Sequence, residues 1–138
     1  MEAAYQKIGG DFANAIIACD FEFAIGLLAP WLRNTISPDR LQSLVEEANG
    51  DLPLPARFQL DGNSSSFEDI SETEEYGVPS HPMPAEMTND NFRKWMVIQF
   101  RPDPEEETGY DACFDLWMAL VEVDGSLKVG YLEAADAD

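Results

Sequence analysis

Positive charge is what this chain has least of. Eight Lys and Arg stand against 27 Asp and Glu in 138 residues, a formal net charge of −19. A field of that sign repels phosphate backbones and anionic lipid surfaces, so nucleic-acid and membrane-surface binding are excluded as expectations. Long hydrophobic runs are also missing. Residues 23–32 form the longest apolar stretch, interrupted by Gly26 and Pro30 and far short of a bilayer span. The N-terminal residues lack a basic segment followed by an apolar run and a small-residue cleavage site, which points to a cytoplasmic protein. Cysteine is scarce: Cys19 and Cys113 lie 94 positions apart and form no local metal or redox motif. Two packed, reduced thiols are the expectation, with a long-range disulfide as the alternative.

Histidine is scarcer still. His81, the only one, sits between Pro79, Pro82 and Pro84, where an extended exposed loop is expected. No second histidine can build a metal site with it, and no serine occupies a nucleophile elbow. Asp61, Asn63, Ser65, Asp69 and Glu72 match a calcium-loop spacing. Ser66, however, stands where that loop requires glycine, and Glu68 stands where it requires an apolar residue. Acid-rich loops meet such spacings by chance. No metal and no cofactor is expected.

What remains is an ordinary globular composition, 45% hydrophobic and 25% charged, in a length that suits one domain over residues 1–138. Ile8, Phe12, Ala15, Ile16 and Cys19 fall on one stripe of an amphipathic helix, which Gly9-Gly10 would delay or kink. Asp20 breaks that helix and caps a second over residues 21–28, closed by Pro30. Ser37 and Pro38 open a third, with Leu41, Leu44, Val45 and Ala48 on its buried side and Asn49-Gly50 at its end. Strands follow: a first over residues 57–60, then 92–100, 112–123 and 127–133. The last two are joined at Asp124-Gly125, a hairpin turn in which both residues can take positive φ. Residues 134–138 read as a loose tail.

Between the first and second strands lies an insertion, residues 61–91, with eight acids and neither Lys nor Arg. Its Ser, Pro and acid content makes it the segment expected to be most mobile, with a short strand over residues 67–70. Helices first and antiparallel strands afterwards specify an α+β domain with three N-terminal helices packed on one face of a sheet.

The run Ala18-Cys19-Asp20-Phe21-Glu22-Phe23-Ala24-Ile25-Gly26-Leu27-Leu28-Ala29-Pro30 resembles a recurrent feature of the nuclear transport factor 2-like superfamily. There a long first helix ends at a polar break with Asp, and a second carries Ala-x-x-Leu-Leu before a proline. The resemblance implies a strongly curved antiparallel sheet closed into a cone with a pocket. Enzymes of that superfamily, such as isomerases, cyclases and dehydratases, place an acid or His at the mouth of the cone. The acidic insertion departs from its most compact members.

Chemistry in such a pocket needs a carboxyl tuned by desolvation. On residues 111–123, the odd positions Asp111, Cys113, Asp115, Trp117, Ala119, Val121 and Val123 share one face by period two, and the even positions share the other. Both faces are largely apolar, so the strand is expected to be central. Asp115, between Cys113 and Trp117, is the candidate base. The alternative is a strand-end carboxylate, solvated or paired with Arg93, Lys94 or Arg101. Trp117, Cys113, Trp95 and Tyr131 are the candidate pocket lining. Trp95 shares its strand face with Arg93, Gln99 and Arg101, which suggests an interface or a rim rather than a core.

Two functions follow as expectations. The first is a non-catalytic acidic binding or scaffold protein, a homodimer through the outer sheet face. Its Glu72, Glu74 and Glu75 would engage a basic protein partner, as an immunity-type inhibitor engages a cationic toxin. The second is a small-molecule enzyme or carrier with Asp115 as its base. A filled cone favours the first, and a deep apolar pocket around Asp115 the second.

Overall fold

A computed structural model describes residues 2–50, 54–61, 85–88, 90–102 and 113–136. The apolar stripe of the N-terminus becomes α1 (Glu2–Ile17), with Ile8, Phe12, Ala13, Ala15 and Ile16 buried. The helix runs through Gly9-Gly10 without interruption, and packing explains why. A Cβ built on Gly9 would lie 2.5 Å from Met96 Sδ and 3.4 Å from both Leu60 methyls. The glycine costs helix propensity and lets α1 approach the sheet closely. Cys19 leaves the stripe: it takes a left-handed φ of 59° in the turn after α1 and is exposed, so only Cys113 of the two thiols is packed inside.

Asp20 then caps α2 (Phe21–Gly26), its carboxylate accepting from Phe23 N at 3.3 Å. α2 stops before Leu28, because Leu28 enters a parallel bridge with Val129 instead. Pro30 opens a helix rather than merely closing one. It occupies the first position of the single turn α3 (Pro30–Arg33), where its missing N–H costs nothing. The described chain thus has four helices, not three. α4 (Pro38–Asn49) has the expected Ser37 cap, whose hydroxyl accepts from Arg40 N at 3.1 Å, and it ends at Gly50 with φ 56°.

The four described strands, β1 (Arg57–Asp61), β2 (Phe92–Arg101), β3 (Phe114–Val123) and β4 (Ser126–Asp136), form one antiparallel sheet in sequence order. Asp124 (φ 53°) and Gly125 (φ 82°) make the β3–β4 turn, whose positive dihedrals match the twist of the strands. β4 continues through Asp136, paired with Phe114, so most of the expected tail belongs to the sheet. Residues 62–84, with the proposed strand over 67–70 and His81, lie outside the described residues. The insertion's last turn is described and anchored. Met87 is buried, while Asn91 accepts from Thr88 N at 2.9 Å and donates to Glu86 O at 2.8 Å.

Helices cover one face of the sheet. There Phe100, Phe114, Ile98, Leu116, Met96, Met118 and Leu120 pack with Phe12, Leu28 and Leu41 into the main core, each without exposed surface. Lys94 lies on this face as well, buried, with Nζ 5.3 Å from the centroid of the Tyr5 ring. Register breaks interrupt the ladders between Phe92 and Lys94 and between Ala119 and Leu120. At the second break Gly130 is wedged: an added Cβ would stand 2.7 Å from Val121 Cγ1 and 3.2 Å from Trp31 Cζ2. The Trp31 indole donates to Gly130 O at 2.8 Å, which ties α3 to the same point.

Candidate functional site

The opposite, outer face of the sheet holds most of the candidate residues, and it divides into two halves. In the first, Trp95 of β2, Ala119 and Val121 of β3 and Tyr131 of β4 pack with Phe92, Ala29 and Met87 as a second core. Trp95 meets Phe92 and Tyr131 edge-on, with ring centroids 6.2 and 6.0 Å apart. Trp95 is 1% exposed, so it is a core residue and not a rim. The expectation of a rim failed because Arg93 drops out of the alternation at the register break, while Ala29 and Met87 cover this end of the face. The Trp95 indole Nε1 is buried and has no hydrogen-bond partner among the described residues.

Beyond Ala119 the face changes character. Cross-strand pairs share a face, so Val97↔Trp117↔Glu133 and Gln99↔Asp115↔Ala135 continue it toward the start of β3. Val97 is buried, whereas Gln99, Asp115, Trp117 and Glu133 are half-buried. Asp115 is the second residue of β3, close to a strand end. Burial raises its pKa above the ordinary aspartate value, and the nearby Arg101 guanidinium pulls the other way. Of the three cations considered for it, only Arg101 acts on it. Arg93 pairs with Glu122 at 2.7 Å, and Lys94 stands over Tyr5 on the other face.

Cys113 does not join Asp115. It precedes β3, its N–H donates to Phe100 O at 2.9 Å, and it is buried in the main core. Period-two alternation is a property of the extended strand, and Cys113 lies outside it. The sheet therefore brings Trp95 and Tyr131 together, sets Asp115 and Trp117 farther along the same face, and leaves Cys113 inside. Glu72, Glu74 and Glu75 lie outside the described residues. Among the described residues no group of His, Cys, Asp and Glu is placed to hold a metal ion, and no helix is long and apolar enough to cross a membrane.

A feature that sequence reasoning missed lies on the helical side. The ends of α1 and α4, the start of α2 and the segment at Leu54-Pro55 enclose a cavity of about 270 Å³. Its walls include Ile16, Ile17, Phe21 and Val45, with Glu46 and Asn49 among the polar lining. The available signal was Leu54, an apolar residue between prolines that is 80% exposed. Comparisons with protein-family models, with characterised proteins and with solved structures give no match to this chain.

Proposed function

We propose that this chain is a non-catalytic acidic binding protein whose negatively charged loops hold a basic protein partner. In its narrower form it is an immunity-type inhibitor of a cationic protein. The observation that carries this reading is the packing on the inner sheet face, from which the cavity at the helix ends is separate: among the described residues no strand residue lines it. A cone enzyme of the kind the sequence resembles needs an apolar pocket with a titratable group on that face. Here Phe12, Leu41, Phe100, Phe114, Leu116 and Met118 fill it without exposed surface, and Tyr5 stands over the buried Lys94. The net charge of −19 supports a basic partner, because complementary fields raise encounter rates and repel wrong partners.

The same proposal includes a nuclear transport factor 2-like, strongly curved sheet, a cytoplasmic location and a homodimer through the outer face. The two register breaks support the curvature, since bulges bend the strands that carry them. The half-buried Trp117 supports the dimer face. One observation favours the rival, a small-molecule enzyme or carrier: the raised pKa of Asp115 beside Trp117. Arg101 opposes that shift, which weakens Asp115 as a base.

The test is capture from a lysate of the source cells, identification of what is retained, and association kinetics at about 50 and about 300 mM salt. A basic partner whose association slows with salt is the expected result. Glu72, Glu74 and Glu75 changed together to Gln should slow association more than they speed dissociation, since rim charges act through encounter. A neutral partner, or a rate indifferent to salt, overturns the reading.

A further inference from the structure

Two helices end at the same cavity. The last residues of α1, Ile16 and Ile17, and the last turn of α4, with Val45, Glu46 and Asn49, line a space of about 270 Å³. That is close to the lower end of ligand cavities, about 300 Å³, so an occupant is small. Its body must be apolar, because Ile16, Ile17, Phe21 and Val45 form the walls and the 80%-exposed Leu54 has little protein against it.

The electrostatics set the sign of the head group. Helix C-termini carry partial negative charge from carbonyls without intrahelical partners, and a cation in the last turn normally offsets it. Neither α1 nor α4 has a basic residue in its last turn. Glu46 adds a full charge. Its carboxylate accepts one bond, at 3.0 Å from Gln42 Nε2, and enters no salt bridge among the described residues. Among the described residues no Lys, Arg or His lines the cavity. An anion would meet only negative potential there, and a neutral molecule would gain only the apolar contact.

We propose that this cavity binds a small organic cation with an apolar body, of the primary arylalkylamine class. The ammonium sits at Glu46 and the C-terminal end of α4, and the apolar body lies between Ile16, Ile17, Phe21 and Val45. The cavity shares no residue with the acidic insertion, so this inference stands independently of the proposed protein partner.

The experiment is a titration of the full chain with 2-phenylethylammonium, followed through the methyl resonances of Ile16, Ile17 and Val45. The neutral 2-phenylethanol and the anionic 3-phenylpropionate serve as controls. The amine should shift those methyls saturably and bind about threefold more tightly than the alcohol, the increment expected of an ion pair at an exposed carboxylate. The carboxylate should leave them unmoved. Glu46→Gln, at an exposed position, should bring the amine down to the affinity of the alcohol and leave the alcohol unchanged. Equal binding of amine and alcohol, an amine indifferent to Glu46→Gln, or shifts scattered over the acidic surface would each overturn the assignment.

Discussion

The two faces of the sheet are built by the same strands, yet they are covered in different ways. The inner face meets α1 and α4 and is apolar along the central strands up to Lys94 at one end. Among the described residues the outer face is covered only at one end, where Ala29 and Met87 lie on Trp95, Ala119 and Tyr131. At its other end it carries Asp115, Gln99, Trp117 and Glu133 at half-buried positions. A face closed by helices leaves no room for chemistry, and a face left half-open keeps titratable and aromatic groups within reach of a partner. The inner sheet face thus contributes packing, whereas the outer face divides between a second core and an end with half-buried polar and aromatic side chains.

Aromatic truncations give the sharpest test of that division. Phe114 is fully buried on the inner face, stacked on Phe100 with ring centroids 4.7 Å apart. Phe114→Ala should cost about 3–5 kcal/mol, a large share of the stability of a domain this size. Trp117, on the same strand but facing outward, is half-buried, so Trp117→Ala should cost about half as much, roughly 2 kcal/mol. Urea unfolding of both variants checks this. Equal losses would mean that the outer face is as much a core as the inner one.

A second test lies where α1 crosses the inner face. Gly9 and Gly10 are neighbours in one helix, and alanine at either would gain up to about 1 kcal/mol of helix propensity. At Gly9 the new Cβ would meet the fully buried Met96 Sδ at 2.5 Å, and at Gly10 it meets only the Phe58 ring at 3.9 Å. Gly9→Ala should therefore destabilise by about 1–3 kcal/mol through overpacking, whereas Gly10→Ala should stabilise by up to about 1 kcal/mol. Thermal unfolding of the pair should shift in opposite directions. Shifts of the same sign would mean that the inner face has room to yield.

Residues governed by local rules were legible in the sequence, and residues governed by tertiary contact were not. The Asp20 and Ser37 caps, the Asp124-Gly125 turn and the alternation that makes β3 central rest on short-range chemistry, and they stand where expected. Gly9-Gly10 reads locally as a helix breaker, because the sulfur that makes glycine necessary there belongs to Met96, far along the chain. Pro30 reads as a stop until α3 is seen docked through Trp31 on Gly130. For the candidate site, the alternation that puts Asp115 and Trp117 on one face holds from Phe114 onward and fails for Cys113, one residue outside the strand. The burial of Trp95 depends on Met87 and Ala29, whose approach no periodicity encodes.

The smallest expected effect belongs to Asp115, and it probes how open the outer face is. Desolvation raises its folded-state pKa, with Arg101 opposing, so the native state holds the proton more tightly than the unfolded chain does. An aspartate shifted in this direction subtracts stability above its folded-state pKa, and that loss is relieved as pH falls through the folded value toward the unfolded one, about 3.9. Asp115→Asn removes the charge and keeps the shape. It should therefore raise the melting temperature slightly at neutral pH, and the gain should vanish on acidification through that window. The half-exposed position keeps the gain small, since solvent screens a charge placed there. A carboxyl carbon titration of the wild-type protein should give a midpoint above about 3.9. A midpoint at or below that value, or an Asn variant less stable than wild type at neutral pH, would show that Arg101 outweighs burial. Asp115 would then be an ion-paired residue of the sheet's end, and the reading of it as a desolvated base would fall.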